Sequence, residues 1–183
     1  MTKQLGFYFD ASGCTGCKAC AIACKDRSDL PVGINFRKVY QYEGGSWGPD
    51  PRNPDLMIPN NLFVYSLSAA CMHCEKPICM EVCPASAISK RDDGVVLIDK
   101  DVCIGCRYCM VACPFQIPAY EYSNALDPQV RKCTFCFDRV TKDGKKPACV
   151  SICPNEALTF GTRELLLDVA YQQQSVVVES GHP

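Results

Sequence analysis

Apolar residues in this chain gather in short bursts, and no long amphipathic period runs through it. Phe7-Tyr8-Phe9, Ala87-Ile88-Ser89, Val95-Val96-Leu97-Ile98 and Leu158-Thr159-Phe160 have the length and the aromatic or β-branched content of strands. Asp92-Asp93-Gly94 is turn material and predicts a hairpin between the second and third of these runs. Residues 42–61 contain Gly44-Gly45, Pro49, Pro51, Pro54 and Pro59, which predict a loop, followed by a short apolar strand over 62–65. Residues 141–147 predict a basic turn, 163–171 a short helix, and the remainder to Pro183 a tail that drapes over a neighbour. The best apolar stretch, 62–70, is broken by serines and falls far short of the ~20 residues a membrane-spanning helix needs. Residues 1–7 show neither an apolar h-region nor a twin-arginine pair, so no secretory leader is expected there. Any membrane association is expected to come through a partner.

Composition weakens the case for an ordinary apolar core. Of 183 residues 48% are hydrophobic, but that share includes 16 cysteines. Without them it falls to about 39%, below the usual apolar share of a globular domain. One Trp and 13 Pro point the same way. Metal ligation can contribute folding free energy directly, so the metal-free chain is expected to be largely unfolded. A net charge of -1, with no dominant basic stripe, argues against a nucleic-acid partner.

The cysteines sort into four groups of four without remainder. Cys14-x2-Cys17-x2-Cys20-x3-Cys24 is the first and Cys71-x2-Cys74-x4-Cys79-x3-Cys83 the second. Cys103-x2-Cys106-x2-Cys109-x3-Cys113 is the third and Cys133-x2-Cys136-x12-Cys149-x3-Cys153 the fourth. Proline follows Cys83, Cys113 and Cys153. A C-x2-C-x2-C loop lets three thiolates reach three irons of one [4Fe–4S] cube from a single wrap of backbone, and the fourth cysteine ligates the other cluster of a two-cluster ferredoxin. Proline then turns the chain away and suits the first turn of a helix. Disulfides fit quartets this compressed poorly. Structural zinc on four thiolates is the better rival; group four, with its x12 gap, could pass for a zinc ribbon, which leaves three clusters plus one zinc as the residual alternative.

Residues 71–113 have the sequence of a complete two-cluster ferredoxin. Cross-ligation there predicts one cluster on Cys71, Cys74, Cys79 and Cys113, and another on Cys103, Cys106, Cys109 and Cys83. Groups one and four look like the same unit cut open. Phe9-Asp10 precedes Cys14 as Ile98-Asp99 precedes Cys103, and Cys153-Pro154-Asn155-Glu156-Ala157-Leu158 matches Cys83-Pro84-Ala85-Ser86-Ala87-Ile88. The strands at 7–9 and 158–160 lack local partners and are expected to pair across the chain ends. This predicts a cluster on Cys14, Cys17, Cys20 and Cys153, and another on Cys133, Cys136, Cys149 and Cys24. The expected fold is α+β and loop-rich: two intertwined ferredoxin-like two-[4Fe–4S] modules related by a pseudo-twofold, one inserted in the other. The split module takes residues 1–66 plus 126–165, the inserted one 67–125, and the tail 166–183.

Other residues carry weaker signals. His73, between Cys71 and Cys74, could hydrogen-bond a cluster sulfide, although a surface or partner-contacting histidine is the ordinary reading. Lys18, Lys25, Lys76, Arg107, Arg131 and Lys132 lie close to cysteines; cations there could raise the potential of an anionic cluster, against the default of solvated surface charge. Trp47, Tyr40, Tyr42 and Tyr65 are expected to pack a cluster-poor part of the fold or an interface. Gly13 and Gly16 flank Cys14, where backbone can approach a cluster. With no nucleophile–base pair, phosphate loop or dinucleotide fingerprint in the sequence, the chain is expected to conduct electrons without a catalytic site of its own.

The whole pattern resembles the four-cluster electron-transfer (beta) subunit of the dimethyl sulfoxide reductase family of molybdopterin oxidoreductases. The resemblance is carried by Cys14-Thr15-Gly16-Cys17-Lys18-Ala19-Cys20 with Ala23-Cys24-Lys25-Asp26, by Phe36-Arg37-Lys38-Val39-Tyr40 with Gly44-Gly45-Ser46-Trp47, and by residues 101–109, 132–140 and 144–149. It implies four [4Fe–4S] clusters, since Cys106 is present where some relatives replace a cysteine. It also implies a molybdopterin-containing catalytic subunit on one side and an integral-membrane quinol- or quinone-reactive anchor on the other. Membrane association through those subunits follows, with the periplasmic face by co-export favoured and the cytoplasmic face left open. Related proteins serve formate, nitrate and polysulfide enzymes, and a soluble polyferredoxin is a further alternative.

Overall fold

The computed structural model describes residues 4–122 and 129–179; the expected module boundary at 125/126 and the tail residues 180–183 lie outside the described residues. Every strand among the described residues belongs to a two-stranded antiparallel sheet. β1 (Leu5–Phe9) pairs with β8 (Leu158–Thr162), with Phe7 opposite Phe160 and Phe9 opposite Leu158. The chain ends therefore close on each other, as the unpartnered strands at 7–9 and 158–160 predict. β4 (Ile88–Lys90) and β5 (Val96–Ile98) form the expected short hairpin, with Ile88 opposite Ile98. β6 (Ala119–Tyr120) pairs with β7 (Val130–Arg131).

The two larger hairpin units share backbone detail as well as sequence. Asp10 N–H donates to Ala157 O at 2.9 Å, and Asp99 N–H donates to Ala87 O at 2.7 Å. In each case the aspartate then accepts from a backbone N–H two residues on, Ser12 or Asp101, at 2.9 Å. These Asx turns start the loops that carry Cys14 and Cys103.

The Cys-Pro steps explain why the helices between them are short. Proline after Cys83, Cys113 and Cys153 diverts the chain, and Ser86, Gln116 and Glu156 then take positive φ near 50°, each N–H closing on the preceding cysteine carbonyl. Cys24 has no proline after it, and α1 (Ala19–Arg27) runs on through Lys25 and Asp26. The other helices of the cysteine loops are α2 (Ile78–Glu81), α3 (Tyr108–Ala112), α4 (Phe137–Asp143) and α5 (Ala148–Ser151). The basic turn expected over 141–147 is helical in its first part, because α4 continues to Asp143 before Gly144 caps it at φ 61°.

The loop expected over 42–61 is instead a long ribbon. β2 (Lys38–Asp50) and β3 (Asn53–Ala69) pair from Lys38↔Ala69 to Asp50↔Asn53, with irregularities at Gly44/Ser46 and Pro49/Asp50. Both strands are edges, so prolines whose missing N–H would face solvent cost no ladder bond. Gly44 lies opposite Phe63, and a Cβ on Gly44 would stand 2.4 Å from the Phe63 ring; its absence lets that ring lie flat across the neighbouring strand. The helix expected over 163–171 is longer, α6 (Arg163–Glu179), and Leu166 buries against the β1–β8 pair.

The largest core joins the two units. Cys24, Leu30, Ile34, Phe36, Val95, Cys133 and Phe135 are buried together, with Phe7 and Phe160 packed against them. Phe135 meets Phe7 edge-on at 4.7 Å and Phe160 at 5.5 Å. Leu5 N–H donates to Asp93 O, tying β1 to the β4–β5 turn.

Candidate metal centres

The two uninterrupted ferredoxin loops have the same backbone plan. Gly16 and Lys18 take φ 68° and 62°; Gly105 and Arg107 take φ 66° and 67°. Alternating left-handed residues curl the loop so that successive cysteines face inward. At Gly16 a second constraint acts, since a Cβ there would lie 2.6 Å from Ser66 Oγ. Helix α1 then presents Cys20 and Cys24, four residues apart on one face and both buried. In group two His73 takes φ 44° before Cys74, and Pro77 opens α2, which carries Cys79. In group four Phe135 and Cys136 are left-handed, and Pro147 precedes α5, which carries Cys149.

These loops bring the cysteines together across the groups. Cys14, Cys17, Cys20 and Cys153 line one small cavity, with Phe9, Val39 and Leu158. Cys103, Cys106, Cys109 and Cys83 line another, with Ile88, Ile98 and Val130. Around Cys79, burial raises the thiol and Lys132 lowers it, while Cys71, Cys113 and Cys74 are close enough to raise it further. Cys24 is pushed up to about 12 by burial and by Cys149 and Cys136. Cys133 is raised by burial, then by Cys71 and Cys24.

Contacts between the quartets follow from the same neighbours. Cys149 is raised by burial and lowered by Arg37, and it feels Cys136 of its own quartet and Cys20 of the first. Cys109, pushed up to about 11 by burial and Cys103, also feels Cys79. Cys17 and Cys106 are exposed, whereas Cys24, Cys133 and Cys149 are buried.

The family model described as a 4Fe-4S dicluster domain matches residues 62–163, and one described as a 4Fe-4S binding domain matches residues 11–32. The B subunit of the anaerobic dimethyl sulfoxide reductase of Escherichia coli (strain K12) is 50% identical over 161 residues, covering 88% of this chain and 75% of the relative. The probable anaerobic dimethyl sulfoxide reductase subunit YnfG of the same strain is 49% identical over 91% of this chain and 77% of its own length. The protein belongs to this family of iron–sulfur subunits. The thiosulfate reductase electron transfer subunit PhsB of Salmonella typhi is also similar, 38% identical over 88% of this chain and 77% of the relative. As a member of the family, this protein is a non-catalytic electron-transfer subunit.

The donor set fits the family's cofactor. Soft thiolates suit iron–sulfur clusters, and buried thiols with like neighbours stay protonated until a cation compensates them. At two of the quartets the four cysteines surround a cavity. Among the described residues, no three His, Cys, Asp or Glu side chains converge as holders of a single metal ion.

Two of the weaker sequence signals need correction. His73 is no surface residue: it is 1% exposed, stacked on Phe135 at 3.8 Å, and its Nδ1 accepts from Val96 N–H at 2.9 Å. That bond leaves the ring proton on Nε2, which is buried without a partner among the described residues. Burial, then Lys132, pushes its pKa down to about 2. Lys132 is equally buried, with Nζ 3.7 Å from Cys71 Sγ and donating to the carbonyls of Val96 and Cys133. Arg131 pairs with Glu121 at 3.7 Å, Lys25 donates to the carbonyls of Pro31 and Ile34, and Lys18, Lys76 and Arg107 are exposed. Trp47, 59% exposed, packs no part of the core, and Tyr42 and Tyr65 stack on each other on the ribbon at 5.3 Å. Sequence reasoning missed Arg37 and Ser68 as site residues. Ser68 has a weak signal as a polar residue three positions before Cys71, and Arg37, thirteen residues from the nearest cysteine, has none.

Proposed function

We propose that this chain relays electrons one at a time through four [4Fe–4S] clusters, between a molybdopterin-containing catalytic subunit and a membrane quinol- or quinone-reactive subunit of a dimethyl sulfoxide reductase-type complex. The observation that carries the reading is the cross-group gathering of cysteines, with Cys153 in the cavity of group one and Cys83 in that of group three. The proposed ligand sets are Cys14, Cys17, Cys20 and Cys153; Cys133, Cys136, Cys149 and Cys24; Cys71, Cys74, Cys79 and Cys113; and Cys103, Cys106, Cys109 and Cys83. Neighbouring thiols support a linear order of these clusters. The first site adjoins the second through Cys20 and Cys149, the second adjoins the third through Cys133 and Cys71, and the third adjoins the fourth through Cys79 and Cys109. Exposed Cys17 and Cys106 mark the two ends as the points of exchange with partners.

The pseudo-twofold, intertwined architecture is supported by the matched Asx turns, by the β1–β8 and β4–β5 pairings, and by the shared φ pattern of the two loops. A catalytic partner is supported by the names of the relatives and by the ribbon, which exposes the large apolar side chains Trp47, Met57 and Phe63. Asp50, Arg52 and Asp55 near its tip suit a protein surface better than lipid. No helix among the described residues is long and apolar enough to cross a membrane, so the membrane-bound location is assigned to the partners.

Quantifying iron and acid-labile sulfide per chain, with a redox titration followed by electron paramagnetic resonance, tests the reading. About sixteen irons and four cubane signals are expected; a count well below that, with zinc making up the difference, would overturn it. Co-purification with a molybdenum-containing subunit tests the partner.

A further inference from the structure

We propose that Arg37 is the fixed counter-charge of the site formed by Cys133, Cys136, Cys149 and Cys24, and that it holds up the reduction potential of the cluster there. The proposal rests on the four-cluster reading above. Arg37 is 2% exposed, and no carboxylate among the described residues pairs with it. Its Nη1 donates to Ser68 Oγ at 3.0 Å and to Ser68 O at 3.4 Å. The guanidinium carbon lies 4.7 Å from the Phe7 ring centre. Nε and Nη2 have no oxygen or nitrogen partner among the described residues, and the guanidinium hydrogen-bonds the Cys149 side chain. A guanidinium stays protonated at any working pH, and a buried cation with no carboxylate beside it is a costly arrangement unless another anion belongs there.

The surroundings supply that anion. Arg37 lowers the thiols of Cys24, Cys133 and Cys149, which belong to one quartet. A four-thiolate [4Fe–4S] cluster is net anionic in both of its working states and gains one further negative charge on reduction, with no bond made or broken. A fixed positive charge therefore stabilises the reduced state more than the oxidised one and raises the potential. Ser68, which receives Nη1, lies 3.5 Å from Cys20 Sγ through its hydroxyl. Arg37 is thus seated where the first two sites in the line adjoin. A purely structural role, anchoring the base of the ribbon through Ser68, would leave the potential alone.

The test compares full-length wild type, R37Q and R37K by iron content and by redox titration under electron paramagnetic resonance. With full iron, R37Q is expected to lower most the midpoint of the cluster on Cys24, Cys133, Cys136 and Cys149, to lower less that of the cluster on Cys14, Cys17, Cys20 and Cys153, and to leave the other two in place, and R37K to restore most of the shift. The signal that moves most should be the one altered by Cys24→Ser. Loss of iron in R37Q with retention in R37K also supports a charge requirement. Four unchanged midpoints in fully loaded R37Q, an equal shift in R37K, or iron loss in both variants would overturn the proposal. Wild-type iron well short of four clusters would instead overturn the underlying reading, so the two failures are distinct.

Discussion

Three charged or titratable side chains, His73, Lys132 and Arg37, are buried in a molecule whose cysteine spacing is plain in its sequence. Ligand spacing is a local property, because three thiolates can reach one cube only from a tight loop. The burial of His73, Lys132 and Arg37 is a tertiary property. Each takes its environment from segments far along the chain: His73 from Phe135 and Val96, Lys132 from Cys71, and Arg37 from Ser68 and Phe7. No sequence neighbour announces that a charge will lie in a core. His73 gives a pH test. Its folded pKa, about 2, lies below the ordinary value of 6.5, so the folded state binds fewer protons there than the unfolded one. Its contribution to stability is complete above about pH 6.5 and is lost progressively as pH falls toward 2. His73→Gln keeps an acceptor for Val96 N–H but cannot protonate. Acid titrations of the loaded protein, followed by circular dichroism, should place its midpoint lower than wild type by up to about one pH unit. Coincident curves would show that His73 does not couple to acid unfolding.

Among the elements, the short strands were readable and the ribbon was not. Strand runs such as 95–98 carry β-branched residues and a turn signal beside them, so their pairing follows from local chemistry. The rule that prolines and paired glycines mean loop failed at β2 and β3 because it presumes a strand flanked on both sides. In a two-stranded ribbon each strand has an open edge, and a proline is tolerated wherever its nitrogen faces that edge. A bare ribbon of this kind is marginal in water, and its exposed aromatics belong with the interface proposed for it. Replacing Trp47 and Phe63 together by serine is expected to weaken association with the catalytic subunit about tenfold or more. Iron content should not change, because neither residue belongs to a cysteine-lined cavity. Pull-down of the complex with iron analysis of the isolated subunit checks both halves. Unaltered association would free the ribbon of this role.

Across the whole molecule, internal repetition carried more information than any single segment. The match of 153–158 to 83–88 predicted the β1–β8 closure, which the hydropathy of either strand alone does not reveal. Among the described residues three apolar cores all contain cysteines: Cys24 and Cys133 in one, Cys20 and Cys149 in another, Cys109 in the third. Packing and the proposed ligation thus use the same positions. Removing the metal leaves these clusters of apolar groups centred on cavities, and native circular dichroism should be lost in a chelated, sulfide-free sample. A sample that kept its native spectrum would show that the apolar contacts suffice.

The β1–β8 pairing also has a consequence in time. Phe7 cannot meet Phe160 until more than 150 further residues have been synthesised, and Cys14 waits nearly as long for Cys153. Residues 71–113 hold both halves of their own pairing and can close far earlier on a growing chain. In ribosome-released fragments ending near residue 122, iron should therefore be found on the cysteines of groups two and three. The thiols of group one should remain open to alkylation until the last strand emerges, leaving the N-terminus as the final part of the molecule to be sealed.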